Sequence, residues 1–325
     1  MRILFLIFLW IFRVLKYLWL TVWTLYQIAL GAILVGIVWL ILQAVGYFHV
    51  WDIRNLQTRP PETTSFIEKE RRALQDSLKV ARLHGGRVLP DTTLRWSWIP
   101  FDSIPKTLVD MALVAEDSKF YSHEGFDLEQ IEYAMVANHQ SGKPMRGAST
   151  ITQQVAKNLY LTGGREMQRK LREAALTLEL EHMLSKDRIL EIYFNIAQFG
   201  RGVFGVREAA LFHFGKEPSQ LTQDEMLSLV CLLPSPERWN PKRMSPGFLT
   251  HKMQVLNNYA LFKGIKSTSD STAPDWMKGS YDSLSAILTE RRWKTLRKNS
   301  GVPRLDSGEA DDSPETGDTT ETDGN

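Results

Sequence analysis

The spacing of hydrophobic residues changes sharply along this chain. Near the N-terminus, Tyr17–Trp51 forms one apolar run that contains no Asp, Glu, Lys or Arg. After it, apolar residues recur every three or four positions in separate segments, and that spacing is typical of amphipathic helices. The pattern therefore predicts one membrane helix followed by a mainly α-helical domain.

The segments after the apolar run are bounded by Gly, Pro and short polar stretches, which end helices and begin turns. A short strand is expected at Thr93–Ser97, and Ser185 is expected to cap one of the helices. Helices are expected at Ser65–Leu83, Lys106–Ala115, Leu128–Asn138, Met167–Leu184, Lys186–Asn195, Val206–Phe214, Thr222–Leu233, Pro246–Lys263 and Asp275–Lys298.

The helix predicted at Met167–Leu184 must turn one face toward the core. Its apolar residues recur at helical spacing, so the pattern favours a buried face made of apolar side chains. The residues expected to point inward are Leu171, Ala174, Ala175, Leu178 and Met183.

The N-terminal apolar run is long enough to cross a hydrocarbon core of about 30 Å. Arg2, Arg13 and Lys16 precede it, which predicts that the N-terminus is cytoplasmic and that everything after Trp51 lies outside. A cleaved signal peptide is the alternative, but the run is longer than a signal sequence and lacks a clear small-x-small cleavage site. We therefore expect a retained, single-pass anchor.

Charge is distributed asymmetrically over the 325 residues, although the formal net charge is only +2. The stretch Ser300–Asn325 is strongly acidic and nearly free of large apolar residues, which predicts a disordered tail. Without this tail the body is basic and suits an anionic partner, whether nucleic acid, anionic lipid or a phosphorylated substrate. The single cysteine, Cys231, excludes an intramolecular disulfide.

The stretch Arg146–Leu161, RGASTITQQVAKNLYL, concentrates polar side chains. Ser149 is expected to cap a helix here, because a serine oxygen can accept a backbone N–H at a helix start. Residues three or four positions apart share one face of a helix. The residues with that spacing on the polar face are Thr150, Gln153, Gln154 and Lys157.

Two carboxylates flank this stretch in the sequence. Glu116 falls at the C-terminal end of a predicted helix, where the negative end of the helix dipole favours the protonated form and so suits a general base. Glu173 lies one turn after Arg169, so a helical ion pair is its ordinary role. Two carboxylates separated by a Lys- and Arg-bearing segment fit chemistry at a glycosidic or phosphate-linked carbon.

One histidine follows the first carboxylate closely. His123 lies in the loop Ser118–Asp127 and is expected to bond neighbouring backbone. No His, Cys and Asp residues here have metal-ligand spacing, so no zinc site is expected.

Several motifs in order resemble the signatures of the peptidoglycan glycosyltransferases (glycosyltransferase family 51). The resemblance runs from about Trp98 to about Pro241, and the phrase NIAQFGRGVFGV resembles the monofunctional members. The motifs are EDSKF with HEGFD at 116–127, GASTITQQVAKN at 147–158, RKLREA at 169–174, KDRILEIY at 186–193, and FGV with AA at 204–210.

This resemblance implies a lysozyme-like helical fold and polymerisation of lipid II, a disaccharide-pentapeptide on undecaprenyl diphosphate. It implies that Glu116 is the general base and that Glu173 positions the diphosphate or a divalent ion at it, Mg²⁺ or Mn²⁺. Both would be catalytic residues, and no residue is assigned as a direct metal ligand. The residues it implies for substrate binding are Ser149, Gln153, Lys157, Arg165, Arg169, Lys170 and Tyr133.

One position departs from the family pattern. Many members have an arginine in the helix after the first motif, where this chain has Tyr133. Lys143 or Arg146 can supply that charge instead. The departure affects one substrate contact and leaves the general base in place.

The resulting organisation places the catalytic domain on the outer side of the bacterial inner membrane. The expected partners are lipid II, the growing glycan chain, the membrane and other cell-wall synthesis proteins, and no binding to nucleic acid is expected. A lysozyme-like glycan hydrolase and a non-catalytic scaffold are the alternatives. The expected segments are a cytoplasmic N-terminus (1–16), a transmembrane anchor (17–51), a juxtamembrane connector (52–85), the glycosyltransferase domain (86–265), a C-terminal helical extension (266–299) and a disordered acidic tail (300–325).

Overall fold

A computed structural model describes residues 2–48, 53–83, 93–141, 149–163, 166–266 and 272–300. Three features predicted from the sequence lie outside these residues: the helix break at Gly85-Gly86, the substrate-binding residue Arg165 and the acidic tail beyond residue 300. Within them the chain is mainly α-helical, which confirms the predicted fold class.

Helices account for most of the described chain. They are α1 (Arg2–Phe48), α2 (Ser65–Leu83), α3 (Lys106–Glu116), α4 (Leu128–Ser141), α5 (Ile151–Tyr160), α6 (Glu166–Met183), α7 (Lys186–Ile196), α8 (Val206–Phe214), α9 (Gln223–Val230), α10 (Pro246–Phe262) and α11 (Asp275–Ser300). Short strands are β1 (Arg95–Trp96), β2 (Gln198–Gly200) and β3 (Val203–Phe204).

The predicted helix boundaries agree with these bounds to within a few residues, and those of α2 and α8 agree at both ends. At the start of α7, the Ser185 hydroxyl accepts the backbone N–H of Arg188 at 3.3 Å, so the predicted serine cap is confirmed. A capping residue at the start of a helix and a polar residue or glycine at its end are the signals that predict these boundaries.

Helix α1 is 47 residues long and runs without interruption through the predicted boundary between residues 16 and 17. Its stretch Phe5–Leu40 has a mean hydropathy of 1.8 and none of it is buried against the rest of the protein. At about 1.5 Å per residue, such a helix exceeds the hydrocarbon thickness of about 30 Å. By length and composition it is a candidate membrane span.

Helix α7 lies at the centre of the hydrophobic core. Ile189, Leu190, Ile192, Tyr193 and Phe194 are all completely buried. A helix buried on nearly every side must be surrounded by other elements, and α5, α6 and α8 pack against it. This arrangement holds α5 and α6, which carry most of the candidate site residues, in fixed positions.

A small three-stranded sheet packs beside the helices. Strand β3 lies in the middle, parallel to β1 and antiparallel to β2, with Trp96 opposite Phe204 across the parallel pair. Gly205 follows with φ +80, and a Cβ there would lie 2.9 Å from the Asn195 carbonyl oxygen. Only glycine permits this close approach of the β3–α8 junction to α7.

The predicted inward face of α6 is wrong for Leu171 and Leu178, whereas Met183 does pack against the core. Leu171 is 47% exposed and Leu178 is 56% exposed. The residues of α6 that are buried are Glu173, Leu176, Thr177 and Leu180. Counting apolar residues alone misplaced the face, because two polar residues are buried there: Glu173 is paired with cations and the Thr177 hydroxyl donates to a backbone carbonyl.

An ion pair between α9 and α10 also accepts a hydrogen bond from α11. The Lys252 ammonium of α10 lies 2.8 Å from the carboxylate of Asp224 in α9, and Lys252 is only 4% exposed. From α11, the Ser280 hydroxyl donates to the same carboxylate at 2.7 Å. The predicted C-terminal extension is therefore hydrogen-bonded to the domain at Asp224, the partner of Lys252.

Gly125 tests how closely the loop after α3 packs on α6. It has φ +88, and a Cβ built there would lie 2.7 Å from the Thr177 Cγ2 atom. Gly125→Ala should lower the free energy of unfolding by about 2–4 kcal/mol, since left-handed strain and overpacking add. Urea unfolding of the full chain in detergent, followed by tryptophan fluorescence, measures it.

Gly264→Ala is the matched control. Gly264 has φ +75, but a Cβ there would meet nothing within 4 Å. It should lose only about 1 kcal/mol, from backbone strain alone. Equal losses in the two variants would contradict the proposed contact between the loop and α6.

Candidate active site

Glu116 is the last residue of α3, as the sequence predicted. Its Oε2 atom accepts a hydrogen bond from the Gln154 side-chain amide at 2.8 Å. Burial raises the pKa of the Glu116 carboxyl group, while Gln154 and Lys157 oppose the shift. Burial, rather than the helix dipole on which the sequence argument relied, is the main cause. A carboxylate with a raised pKa is suited to accept a proton.

The neighbouring Asp117 connects three segments of the site. Its Oδ2 atom accepts the backbone N–H of Ile151, at the start of α5, at 3.0 Å. His123 Nε2 lies 3.0 Å from the same carboxylate, and His123 Nδ1 accepts the Gly125 N–H at 3.1 Å. Since Nδ1 is an acceptor, Nε2 carries the proton and donates it to Asp117. The predicted backbone contact of His123 is confirmed.

The start of α5 corrects the predicted cap. Thr150, rather than Ser149, is the N-cap, and it forms a capping box with Gln153. The Gln153 side chain accepts the Thr150 N–H at 2.9 Å, and the Thr150 hydroxyl accepts the Gln153 N–H at 3.2 Å. The reciprocal box satisfies two backbone donors, which a serine one residue earlier cannot do.

This box separates the roles of two adjacent glutamines. Gln153 is 8% exposed and its side-chain carbonyl faces the backbone. Gln154, rotated by about 100° around the helix, reaches Glu116. Gln154 was on the predicted polar face but was not selected as a site residue. Its three-residue spacing from Lys157 was the signal that could have identified it.

Glu173 lies on α6 and is only 2% exposed. Arg169 Nη1 lies 3.2 Å from its carboxylate, and the Lys170 ammonium contacts the other oxygen. The helical ion pair expected for Glu173 is therefore present, but it is buried. A buried carboxylate with two cationic partners is a fixed part of the site rather than a surface pair.

Lys157 of α5 links the two carboxylates electrostatically. Its side chain is exposed, yet desolvation by its surroundings lowers the pKa of its ammonium group, with Lys170 and Arg169 acting in the same direction. Glu173 and, more weakly, Glu116 favour the charged form. Helix α5, which carries Lys157, packs against α6, which carries Glu173, and Gln154 of α5 bonds to Glu116. This packing makes Glu116, Lys157 and Glu173 the members of one candidate site.

A cavity of about 860 Å³ opens beside Glu116. Asp117, Ser149 and Thr150 line it on one side. Polar residues of α10 line it as well, and nothing in the sequence predicted their presence here. They are His251, Gln254, Asn257 and Asn258.

Two predicted substrate contacts are not placed with this group. Tyr133 lies on α4 and is 62% exposed. Arg165 lies outside the described residues, as do Lys143 and Arg146. In the described part of the chain, no three His, Cys, Asp or Glu side chains are grouped so as to hold a metal ion.

Comparison with known proteins gives a consistent match. A family model described as "Transglycosylase" matches residues 86–260. Among similar proteins, one from Chromobacterium violaceum is 35% identical over 215 residues, which are 66% of this chain and 87% of that protein. Another, from Azoarcus sp., is 34% identical over 232 residues, covering 71% and 91% of the two chains.

A third similar protein, from Pseudomonas entomophila, is 45% identical over 186 residues, covering 57% of this chain and 73% of that protein. All three are named biosynthetic peptidoglycan transglycosylase. The matched region contains Glu116, Lys157 and Glu173, and it ends within α10.

Asp117→Ala tests whether this carboxylate anchors α5. The substitution leaves the buried Ile151 N–H and the His123 Nε2–H without their acceptor, so unfolding should cost about 3–5 kcal/mol less. Urea unfolding of the full chain in detergent gives the difference.

Asp187→Ala is the comparison for this variant. Asp187 also accepts a hydrogen bond, from the Tyr121 hydroxyl at 3.0 Å, but it is exposed. Its removal should cost about 1 kcal/mol or less. If Asp117→Ala were no more damaging than Asp187→Ala, Asp117 would not be the anchor described above.

Proposed function

The chain belongs to the transglycosylase family, and from this premise we propose how its residues join sugars. It is a peptidoglycan glycosyltransferase that polymerises lipid II into glycan chains during cell-wall synthesis. Its fold is the lysozyme-like helical fold of that family. The roles of individual residues in the reaction are our proposal.

One observation supports the proposed mechanism most directly. A carboxyl group with a raised pKa, Glu116, and a cation-bound carboxylate, Glu173, both act on the ammonium group of Lys157. The geometry supports the same grouping, because α5 bonds to Glu116 through Gln154 and packs against α6, which carries Glu173 with Arg169 and Lys170. Sugar transfer from a diphosphate requires both a proton acceptor and a cationic region, because the acceptor hydroxyl loses a proton while negative charge develops on the leaving group.

In the proposed reaction, Glu116 takes the proton from the 4-hydroxyl of the acceptor sugar. The oxygen attacks the anomeric carbon of the donor, and the bond from that carbon to the diphosphate oxygen breaks. Undecaprenyl diphosphate leaves with the bonding electron pair, and the configuration at the anomeric carbon inverts. Gln154 holds the Glu116 carboxylate in position for this transfer.

The donor diphosphate binds to the cationic part of the site. Lys157, Arg169 and Lys170 provide the positive charge, and Arg165 adds to it. Charges held in place before the reaction stabilise the leaving group without reorganisation. Glu173 orients Arg169 and Lys170 through its two contacts.

Three predicted substrate contacts, Ser149, Gln153 and Tyr133, lie outside the cationic region. Ser149 lines the cavity and is proposed to contact the substrate there. Gln153 acts on the substrate indirectly, because its side chain belongs to the capping box. Tyr133 takes the position at which many relatives carry an arginine, and we propose that it contacts the substrate without a charge.

A divalent ion, Mg²⁺ or Mn²⁺, is proposed to enter with the diphosphate rather than to be held by the protein. The described residues offer no group of three or more ligands, and Glu173 is already bonded to two cations. Phosphate oxygens are hard ligands that suit such ions. No step above depends on the ion.

We propose that α1, the candidate membrane span, anchors the protein. We propose that it crosses the bacterial inner membrane once, with the N-terminus in the cytoplasm and the catalytic domain outside. Arg2, Arg13 and Lys16 support this orientation. Lipid II and the growing chain are themselves membrane-bound, so an anchored catalytic domain meets them at the bilayer surface. Other cell-wall synthesis proteins are the proposed partners.

Glu116→Gln tests the general base. The amide keeps the size of the side chain but cannot accept the proton, so polymerisation of lipid II should fall by at least about 100-fold. Glycan chains separated by gel electrophoresis measure the rate, and circular dichroism checks folding.

Glu132→Gln, at an exposed position of α4, should retain the wild-type rate. Full polymerisation by Glu116→Gln would remove Glu116 from the role of base. Release of muropeptides from preformed glycan, without polymerisation of lipid II, would instead support a hydrolase.

The pH dependence follows from the raised pKa of Glu116. The base works only when ionised, so kcat/KM should fall toward acid at a pH above the ordinary pKa of glutamate. Gln154→Ala removes a donor that stabilises the ionised form and should move this acid limb up by about one pH unit.

Gln75→Ala removes an exposed glutamine on α2 and should leave the profile unchanged. The pH of the acid limb is obtained from kcat/KM measured between about pH 5 and 9 for the wild type and both variants. An acid limb that stays in place in Gln154→Ala would show that this hydrogen bond does not set the pKa of the base.

A further inference from the structure

The cavity beside Glu116 has a second wall that the mechanism above does not use. Helix α10 forms this wall with His251, Gln254, Asn257 and Asn258. His251, Gln254 and Asn258 are spaced three and four residues apart, so they lie on one face of the helix. The adjoining face is anchored in the core, where residues such as Phe248, Leu249, Val255 and Leu256 are buried.

The chemistry of this wall differs from that of the cationic region. Gln254, Asn257 and Asn258 are exposed amides, each able to donate and to accept hydrogen bonds. Burial lowers the pKa of His251, which favours the neutral imidazole, while its side-chain hydrogen bond with Gln254 opposes the shift. A wall of neutral donors and acceptors suits hydroxyl and acetamido groups, whereas phosphate is bound preferentially by Lys and Arg.

His251 provides an independent indication of a ligand. Its Nε2 atom is buried and has no hydrogen-bond partner among the described residues. Its ring lies 5.3 Å from the Trp239 ring, which holds the imidazole in place. A buried polar atom without a partner costs free energy unless a ligand or water satisfies it. Since His251 also lines the cavity, this unsatisfied atom lies next to the space that a ligand would fill.

The position of the wall identifies the part of the substrate. Glu116 lines the same cavity, and the sugar from which it takes a proton must therefore lie inside. The cations Arg169 and Lys170 are on α6 instead. We propose that His251, Gln254 and Asn258 of α10 bind the saccharide of the acceptor lipid II and orient its reacting hydroxyl toward Glu116. This assignment rests on the proposed function of the cavity.

The double variant Gln254→Ala, Asn258→Ala tests the proposal. Both positions are exposed, so the variant should fold. Binding is measured with the full chain in detergent micelles, in the Glu116→Gln background so that no turnover occurs. Affinity for lipid II should fall about tenfold, as expected for the loss of a few neutral hydrogen bonds. Affinity for undecaprenyl diphosphate, which has no saccharide, should change less than about twofold.

Two further variants serve as comparisons. Thr250 is an exposed residue of α10 that does not line the cavity. The Thr250→Ala variant should therefore bind both ligands with the same affinity as its parent. Lys157→Ala should lower the affinity for undecaprenyl diphosphate, because it removes a cation from the region that binds the diphosphate.

Each outcome separates this inference from the function it rests on. Unchanged lipid II affinity in the double variant, or an equal loss for both ligands, would overturn the assignment of α10 while leaving the polymerase function intact. Failure of the Glu116→Gln parent to bind lipid II would overturn the proposed function itself, and the assignment with it.

Discussion

The carboxylate of Asp117 is the contact on which the geometry of the site depends. It holds the first backbone N–H of α5 and the imidazole of His123, and it directly follows Glu116. Helix α5 in turn carries Gln154 and Lys157. The position of the proposed base and the register of the helix that serves it are therefore fixed by the same side chain. A negative charge at a helix N-terminus is also favoured by the helix dipole.

Burial and charge are balanced within a small volume. Glu173 is almost completely buried, and two cations compensate its charge. An uncompensated carboxylate there would cost several kcal/mol. Desolvation raises the pKa of the Glu116 carboxyl group and lowers the pKa of the Lys157 ammonium group. Both shifts reduce the cost of moving a proton between neutral and charged forms, which general acid–base chemistry uses.

The sequence was sufficient for much of the fold and for the charged residues of the site. Helices with clear caps, such as α7 with Ser185, were predicted because cap and periodicity agree. The inward face of α6 was not, because Glu173 and Thr177 are buried and paired there. Periodicity of apolar residues carries no information about buried polar groups whose partners lie elsewhere in the chain. The sequence does not indicate a role for His251 for a similar reason, since only the fold brings α10 to the cavity.

The contact among Lys252, Asp224 and Ser280 bears on where the catalytic unit stops. The region that matches the family ends at residue 260, yet Met277 and Leu284 of α11 are buried against the domain and Ser280 of α11 donates a hydrogen bond to Asp224 of α9. A shortened protein cut at the family boundary would uncover that apolar surface and loosen the helix that bears His251. Any soluble version made for crystallisation or screening should therefore retain the part of α11 that contains Met277, Ser280 and Leu284.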